Sequence, residues 1–212
     1  MSQSRIDLAE IRKNPPKTLA NAIAIIFKLV EEITRLRVIA FTDGLTKLLT
    51  RAPVMDRLSR ELKIAQSGIA GKRAPRNTGI ESVAVVSIDL IGFKAINDDF
   101  GHAAGDGVLT QTAKALTNAV RANDMVARWG GDEFMLVLWN VNAGDVEIML
   151  QRIQASVRTI GNNIDVRIGC VIWSKGPNPV SAQHLIEIAD RNERMLHSTG
   201  KRGTLVTIYG NE

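Results

Sequence analysis

The chain has 212 residues, 45% hydrophobic and 23% charged, which suits one well-buried core plus an appendage and is short for two full domains. Its 27 basic and 22 acidic residues leave a net charge of +5, as scattered surface cations or a site for phosphorylated small molecules would give, and the scarcity of aromatics (three Trp, one Tyr, five Phe) argues against a base-stacking binder of nucleic-acid polymers. The single cysteine, Cys170, excludes an intrachain disulfide framework and lies in the apolar run VRIGCVIW as a buried, inert thiol, in keeping with a reducing cytoplasm.

From the N-terminus, MSQSRIDLAE lacks the layout of a secretory signal, and the apolar stretch LANAIAIIF is too short to cross a bilayer. A soluble, cytoplasmic protein with no membrane partner is expected. In KTLANAIAIIFKLVEEITRLRVIAF, Leu19, Ala22, Ile26, Leu29, Ile33, Leu36 and Ala40 recur at spacings of three and four, an a/d seam preceded by a Pro15-Pro16 stop. Ile23, Phe27 and Val30 widen that face. Such a helix either packs on its own domain or forms a dimerising stalk; its length and its place before the globular part favour the stalk, over residues 1–41.

Asp43-Gly44 ends this helix and opens the second domain, residues 42–212. A second amphipathic helix runs through RAPVMDRLSRELKIAQ, and SGIAGKRAPRNTG reads as an exposed loop. SVAVVSIDLI is a nearly continuous β-branched run, the pattern of a buried central strand. Residues 104–120 read as a helix with Val108, Leu109, Ala113, Leu116 and Val120 on one face. Two strands flank Gly130-Gly131; a helix near 144–159, a strand DVRIGCVIW, a helix capped by Ser181 and a last strand TLVTIY follow. The order β-α-β-β-α-β predicts an α+β, ferredoxin-like sheet with helices on one face.

Asp89 ends the buried strand, and LIGFKAINDDFGHAAGD follows it. If the Gly130-Gly131 hairpin lies beside that strand end, Asp89, Asp132 and Glu133 cluster at one sheet edge. Three carboxylates there repel one another unless a cation sits between them. Hard divalent ions take such oxygen ligands, and two ions about 3.5–4 Å apart suit an in-line displacement at phosphorus. Gly130 and Gly131 are expected to supply positive φ at the turn.

RWGGDEF together with DLIGFKAINDDFGHAAGD strongly resembles the GGDEF domains, the diguanylate cyclases that condense two GTP into cyclic di-GMP and pyrophosphate. The likeness runs from TDGLTKLLTR at residue 42 to the C-terminus. It implies a nucleotidyl-cyclase palm, an antiparallel-rich central sheet with flanking helices, and two Mg²⁺ (or Mn²⁺) per active site. It also implies that Asp89, the carbonyl of Leu90, Asp132 and Glu133 hold metal, with Asp132 the candidate base for the attacking 3′-hydroxyl. Lys94 resembles the residue that neutralises the triphosphate, Asn97 and Asp106 the pair that reads guanine, and His102 and Gly131 further substrate contacts. RAND, Arg121 to Asp124, matches an R-x-x-D inhibitory site for product, which Arg152 is placed to complete. Otherwise it is a helix-end Arg and a strand-starting Asp. Since each 3′-hydroxyl attacks the other GTP, the resemblance implies a homodimer, which the N-terminal helix is suited to supply.

Two positions depart from the family pattern. Ile91 replaces the second Asp of D-x-D-x-F-K, and HSTGKRG puts His197 at a Lys position and Lys201 at an Arg position. Lys201 keeps charge but loses bidentate geometry, so weaker triphosphate binding is expected. The alternative to an active, product-inhibited cyclase is a non-catalytic GGDEF domain that senses cyclic di-GMP or GTP. The intact Asp89, Lys94, Asp132 and Glu133 weigh against it.

Overall fold

The computed structural model describes residues 18–67, 79–161 and 163–209, without the side chains of residues 19–20 and 37–39. Pro15, Pro16, the Leu19 side chain and most of the basic loop at 67–79 lie outside the described residues. Two compact units fall at Met1–Thr42 and Asp43–Glu212. The first holds helix α1 (Leu19–Phe41). On it the seam positions Ile26, Ile33 and Leu36 are exposed and Ala22 and Leu29 half-buried, while Ile23, Phe27 and Val30 are also exposed. No helix among the described residues is long and apolar enough to cross a membrane.

The second unit runs α2 (Arg51–Ser67), β1 (Ser82–Ile91), α3 (Phe93–Phe100), α4 (His102–Ala119), β2 (Met125–Arg128), β3 (Glu133–Trp139), α5 (Ala143–Arg158), β4 (Asp165–Ser174), α6 (Ala182–Ser198) and β5 (Gly203–Tyr209). Its sheet has the order β2-β3-β1-β4-β5. β1 is antiparallel to both β3 and β4, and β2 to β3, giving the expected ferredoxin-like core; β5 then adds to β4 in parallel through α6.

Helices cover both faces of the sheet, not one. Ala84, Val86, Ile88 and Leu90 of β1 point into a core with Val108, Leu109 and Leu116 of α4 and Val146, Leu150 and Ile153 of α5. The alternate residues Val83 and Val85 enter a second core with Val54, Leu58 and Leu62 of α2 and Leu185, Ile186 and Ala189 of α6. A strand dry on both faces must be apolar at every position, which is why β1 reads as a continuous run and not an alternating one.

The caps and ties are local. The Ser181 side chain accepts from the His184 N–H and Asn142 from the Asp145 N–H, starting α6 and α5. Asn192, buried in α6, donates to the Cys170 carbonyl and to Thr207 Oγ1, joining α6, β4 and β5. Burial pushes the Cys170 thiol up to about 12, as an inert core cysteine requires.

Candidate active site

Asp89 stands directly opposite Glu133 of β3 on one side and Arg167 of β4 on the other. Partners opposed in an antiparallel pair have Cα atoms about 4.5–5.5 Å apart. The hairpin turn is fixed to this strand end, because the Leu90 N–H donates to the Asp132 carbonyl at 3.3 Å. The turn closes on itself through the Trp129 N–H, which donates to the Glu133 carbonyl at 2.8 Å. Asp89, Asp132 and Glu133 thus meet at one sheet edge.

The glycines of the turn work differently from the expectation. Neither Gly130 nor Gly131 takes positive φ. A Cβ at Gly130 would stand 2.6 Å from Glu133 Oε2, so the glycine leaves room for the Glu133 carboxylate to fold back on the turn. The Gly131 carbonyl accepts from Arg128 Nε at 3.0 Å and Nη2 at 2.7 Å. Arg128 Nη1 also reaches both Asp43 oxygens at 3.2 Å, and Asp43 in turn accepts from the Thr46 N–H and hydroxyl. A guanidinium fork therefore ties the start of the unit to the turn that carries Asp132.

The other predicted residues occupy the segment after β1. Gly92, at φ 85°, turns the chain into α3, where Lys94 is exposed and Asn97 half-buried. Gly101 joins α3 to α4 and its N–H donates to the Asn97 carbonyl at 2.9 Å. His102 and Asp106 are exposed on the first turns of α4. A Cβ at Gly105 would lie 2.0 Å from Asn97 Oδ1, so that glycine lets the Asn97 amide lie across α4 next to Asp106. Helix α3 and the part played by Gly105 are absent from the sequence reading. The first is only eight residues long and sets just Phe93 and Ile96 against the core.

Helix α6 adds charges that the sequence reading assigned only at His197 and Lys201. Asp89 is raised above the ordinary carboxylate value by burial and then by Asp132, while Arg167 and His197 oppose. Glu133 is raised by burial, Asp89, Asp132 and Asp190, with Arg194 opposing. Glu193 is pushed up to about 7, by burial first and then by Asp89. Lys201 follows α6 and is exposed.

Clustered carboxylates that raise one another are the donor chemistry of a hard-cation site. In this arrangement the Asp89 carboxylate is taken by Arg167, Nη1 to Oδ2 at 2.5 Å, and among the described residues no group of three His, Cys, Asp or Glu is set to hold a metal ion. The donors suit Mg²⁺ in kind, and of the two Asp89 oxygens it is Oδ2 that Arg167 engages.

Away from this edge, Arg121, Asp124 and Arg152 line one cavity of about 400 Å³ between the end of α4 and α5, with Val120, Leu138 and Met149 as its apolar wall. Asp124 has a structural duty as well: its two oxygens accept from the Arg121 N–H at 2.8 Å and the Trp139 N–H at 3.2 Å.

The family model described as diguanylate cyclase, GGDEF domain matches residues 40–202. Diguanylate cyclase DosC of Escherichia coli (strain K12) is 32% identical over 181 residues, 82% of this chain and 36% of that protein. Diguanylate cyclase A of Treponema denticola is 38% identical over 116 residues, 52% of this chain and 31% of that protein. The chain thus spans about a third of the length of these relatives. Among solved structures, the coiled coil and GGDEF domain of DgcB from Caulobacter crescentus, in complex with c-di-GMP, aligns with a TM-score of 0.75 at 25% identity, covering 95% of this chain and 100% of that one. With that family model matched over residues 40–202, the chain belongs to the GGDEF domain family.

Proposed function

We propose that the chain condenses two GTP into cyclic di-GMP and two pyrophosphates across a homodimer. The observation that carries this reading is the convergence of Asp89, Asp132 and Glu133 at one sheet edge, immediately before the helix bearing Lys94 and Asn97. Asp89, the Leu90 carbonyl, Asp132 and Glu133 would hold two Mg²⁺ or Mn²⁺, which offset charge on the triphosphate.

Asp132 takes the proton of the 3′-hydroxyl that attacks the α-phosphorus of the GTP held by the partner. Glu133 keeps the donor set anionic. Lys94 and Lys201 neutralise the departing pyrophosphate, a charge that grows towards the transition state. Gly131, its carbonyl engaged by Arg128, offers its N–H to a phosphate oxygen. Asn97 and Asp106, adjacent across the α3–α4 corner, read the guanine edge, Asp106 accepting from N1–H and the 2-amino group. His102 lies one turn before Asp106 as a further contact. The two half-sites meet through α1, whose exposed apolar stripe supports a parallel pairing that raises the effective concentration of one site at the other. Product occupies the Arg121–Asp124–Arg152 cavity, where the arginines donate to guanine or phosphate.

One observation favours a second reading, a domain that binds cyclic di-GMP or GTP without turnover: Asp89 is engaged by Arg167. A single assay separates the two. Purified chain, at a concentration where it is dimeric, is incubated with GTP and Mg²⁺ and the nucleotides are resolved by chromatography. Cyclic di-GMP from wild type and none from Asp132→Ala, with unchanged circular dichroism, is the expected result. Absence of product from wild type overturns the catalytic reading in favour of the sensor.

A further inference from the structure

Arg167 stands in the carboxylate cluster, and no motif accounts for it. It lies on β4 opposite Asp89, and the two side chains are only 17% and 22% exposed, so the pair is largely shielded from water and salt. The guanidinium spends one nitrogen on Asp89, and its Nε is buried without a hydrogen-bond partner among the described residues. A second group has the complementary deficit: Glu193 Oε1 is also buried without a partner.

The fold puts these two on the same side. Gly169 is two residues along β4 from Arg167, hence on the same face of the strand. A Cβ at Gly169 would come 2.0 Å from the Ala189 carbonyl oxygen, 2.3 Å from the Glu193 N and 3.0 Å from Glu193 Cβ. α6 can sit this low on the sheet only because the residue is glycine, and this brings Glu193 over the strand beside Arg167. Asp89, Arg167 and Glu193 act on one another electrostatically.

We propose that Arg167 is a positioning residue with two carboxylate partners, holding Asp89 in the metal-free chain and passing to Glu193 when a divalent cation takes Asp89. The inference rests on the reading of Asp89 as a metal ligand. The side of Asp89 Oδ2 that the guanidinium occupies is closed to a hard cation, and the two positive groups repel, so an ion that takes both Asp89 oxygens displaces Arg167. A guanidinium driven off Asp89 with no new acceptor would remain a shielded, unpaired charge; Glu193 supplies the acceptor. No covalent step is involved. The chain thereby binds metal more weakly than its carboxylates alone would, and a higher cation concentration is needed to free Asp89.

The test is Mn²⁺ binding to the full chain without nucleotide, read by electron paramagnetic resonance of the free ion. Arg167→Gln is expected to bind Mn²⁺ at least about tenfold more tightly than wild type. Arg194→Gln removes the same charge beside Glu133 without touching Asp89, and is expected to change affinity by less than about threefold. Glu193→Gln should weaken binding in the wild-type background and leave it unchanged in the Arg167→Gln background, since it acts through Arg167. An Arg167→Gln affinity no tighter than that of Arg194→Gln overturns the proposal, even where Asp89→Asn abolishes synthesis of cyclic di-GMP and so upholds Asp89 as a ligand. If the gain in Arg167→Gln survives the added change Asp89→Asn, the ion binds elsewhere, and the ligand reading falls with the proposal. Should Arg167→Gln fail to fold, the wild type answers alone: the Arg167 Nε–H resonance must shift on Mg²⁺ titration in wild type and stay fixed in Asp89→Asn, and no shift in wild type overturns the exchange.

Discussion

Replacing Arg128 by Ala tests whether the turn that carries Asp132 is held from outside. In the native chain this guanidinium makes two bonds to Asp43 and two to the Gly131 carbonyl, with the ion-pair side chains only 18% and 22% exposed. A hydrogen bond to a charged group contributes about 1.5–3 kcal/mol, and removing one partner of a fully buried pair costs about 3–5 kcal/mol. Partial solvation places this pair lower, and Asp43 keeps its two bonds from Thr46, so a loss of about 2–4 kcal/mol is expected. With a urea slope of about 2 kcal/mol per molar, the unfolding midpoint falls by about 1–2 M. Trp129, Trp139 and Trp173 all lie in the second unit, so tryptophan fluorescence reports its unfolding. Arg128→Lys should lie between, keeping the charge and losing the fork. In a cycle with Asp43→Ala the two changes should couple by at least about 1 kcal/mol. A midpoint shift below about 0.3 M, or additive single changes, would refute the argument that the fork bridges the two segments.

Further outcomes follow from the same geometry. Glu193, raised from 4.5 to about 7, stays protonated in the folded chain while the unfolded chain ionises, so it lowers stability as pH rises through that window and no further above it. Partial solvation of the Glu193 side chain reduces the effect to about 1–2 kcal/mol, and Glu193→Gln in EDTA should flatten the urea midpoint between about pH 5 and about pH 8 relative to wild type; parallel curves contradict the cause assigned. Gly92→Ala should destabilise by about 2 kcal/mol or more, since φ is 85° and the new methyl would lie 2.5 Å from the Asn163 carbonyl oxygen, whereas Gly44→Ala, with open space around it, should stay within about 0.5 kcal/mol. Arg121→Ala should raise the cyclic di-GMP concentration needed for half-inhibition of initial rates by at least about tenfold; unchanged inhibition would leave RAND with only the turn that Asp124 holds.

What was legible in the sequence depended on whether a feature is local. β1 declared itself because burial on both faces forces a continuous apolar run, and Ser181 because a cap is written within four residues. That same continuity contradicts helices on one face only. A strand with Val83 and Val85 on one side and Ala84 and Val86 on the other needs cover on both, and α2 and α6 provide it. The helix α3 escaped because its two turns set only Phe93 and Ile96 against the core, too short a stretch for a period to separate it from a loop. Gly130 was expected to supply positive φ and does not; what it provides is room for the Glu133 carboxylate to fold back on the turn, which no φ preference encodes.

The site divides along the same line. Asp89, Asp132 and Glu133 can be brought together from sequence because one hairpin and one strand end suffice, and the spacing of the motif carries that information. Arg167 and Glu193 cannot. An arginine near the start of an apolar strand has no stated partner until register sets it opposite Asp89, and that register depends on the lengths of the α5 segment and both flanking loops. Glu193 needs, in addition, the descent of α6 permitted by Gly169. The motif therefore specifies which reaction the edge is equipped for, whereas the balance between Asp89 bound to metal and Asp89 bound to Arg167 is set by residues that only the tertiary packing relates. If the exchange proposed above holds, two chains with identical signatures differ in metal affinity through substitutions on β4 and α6 alone, and such positions are the ones to vary when the rate, and not the chemistry, is in question.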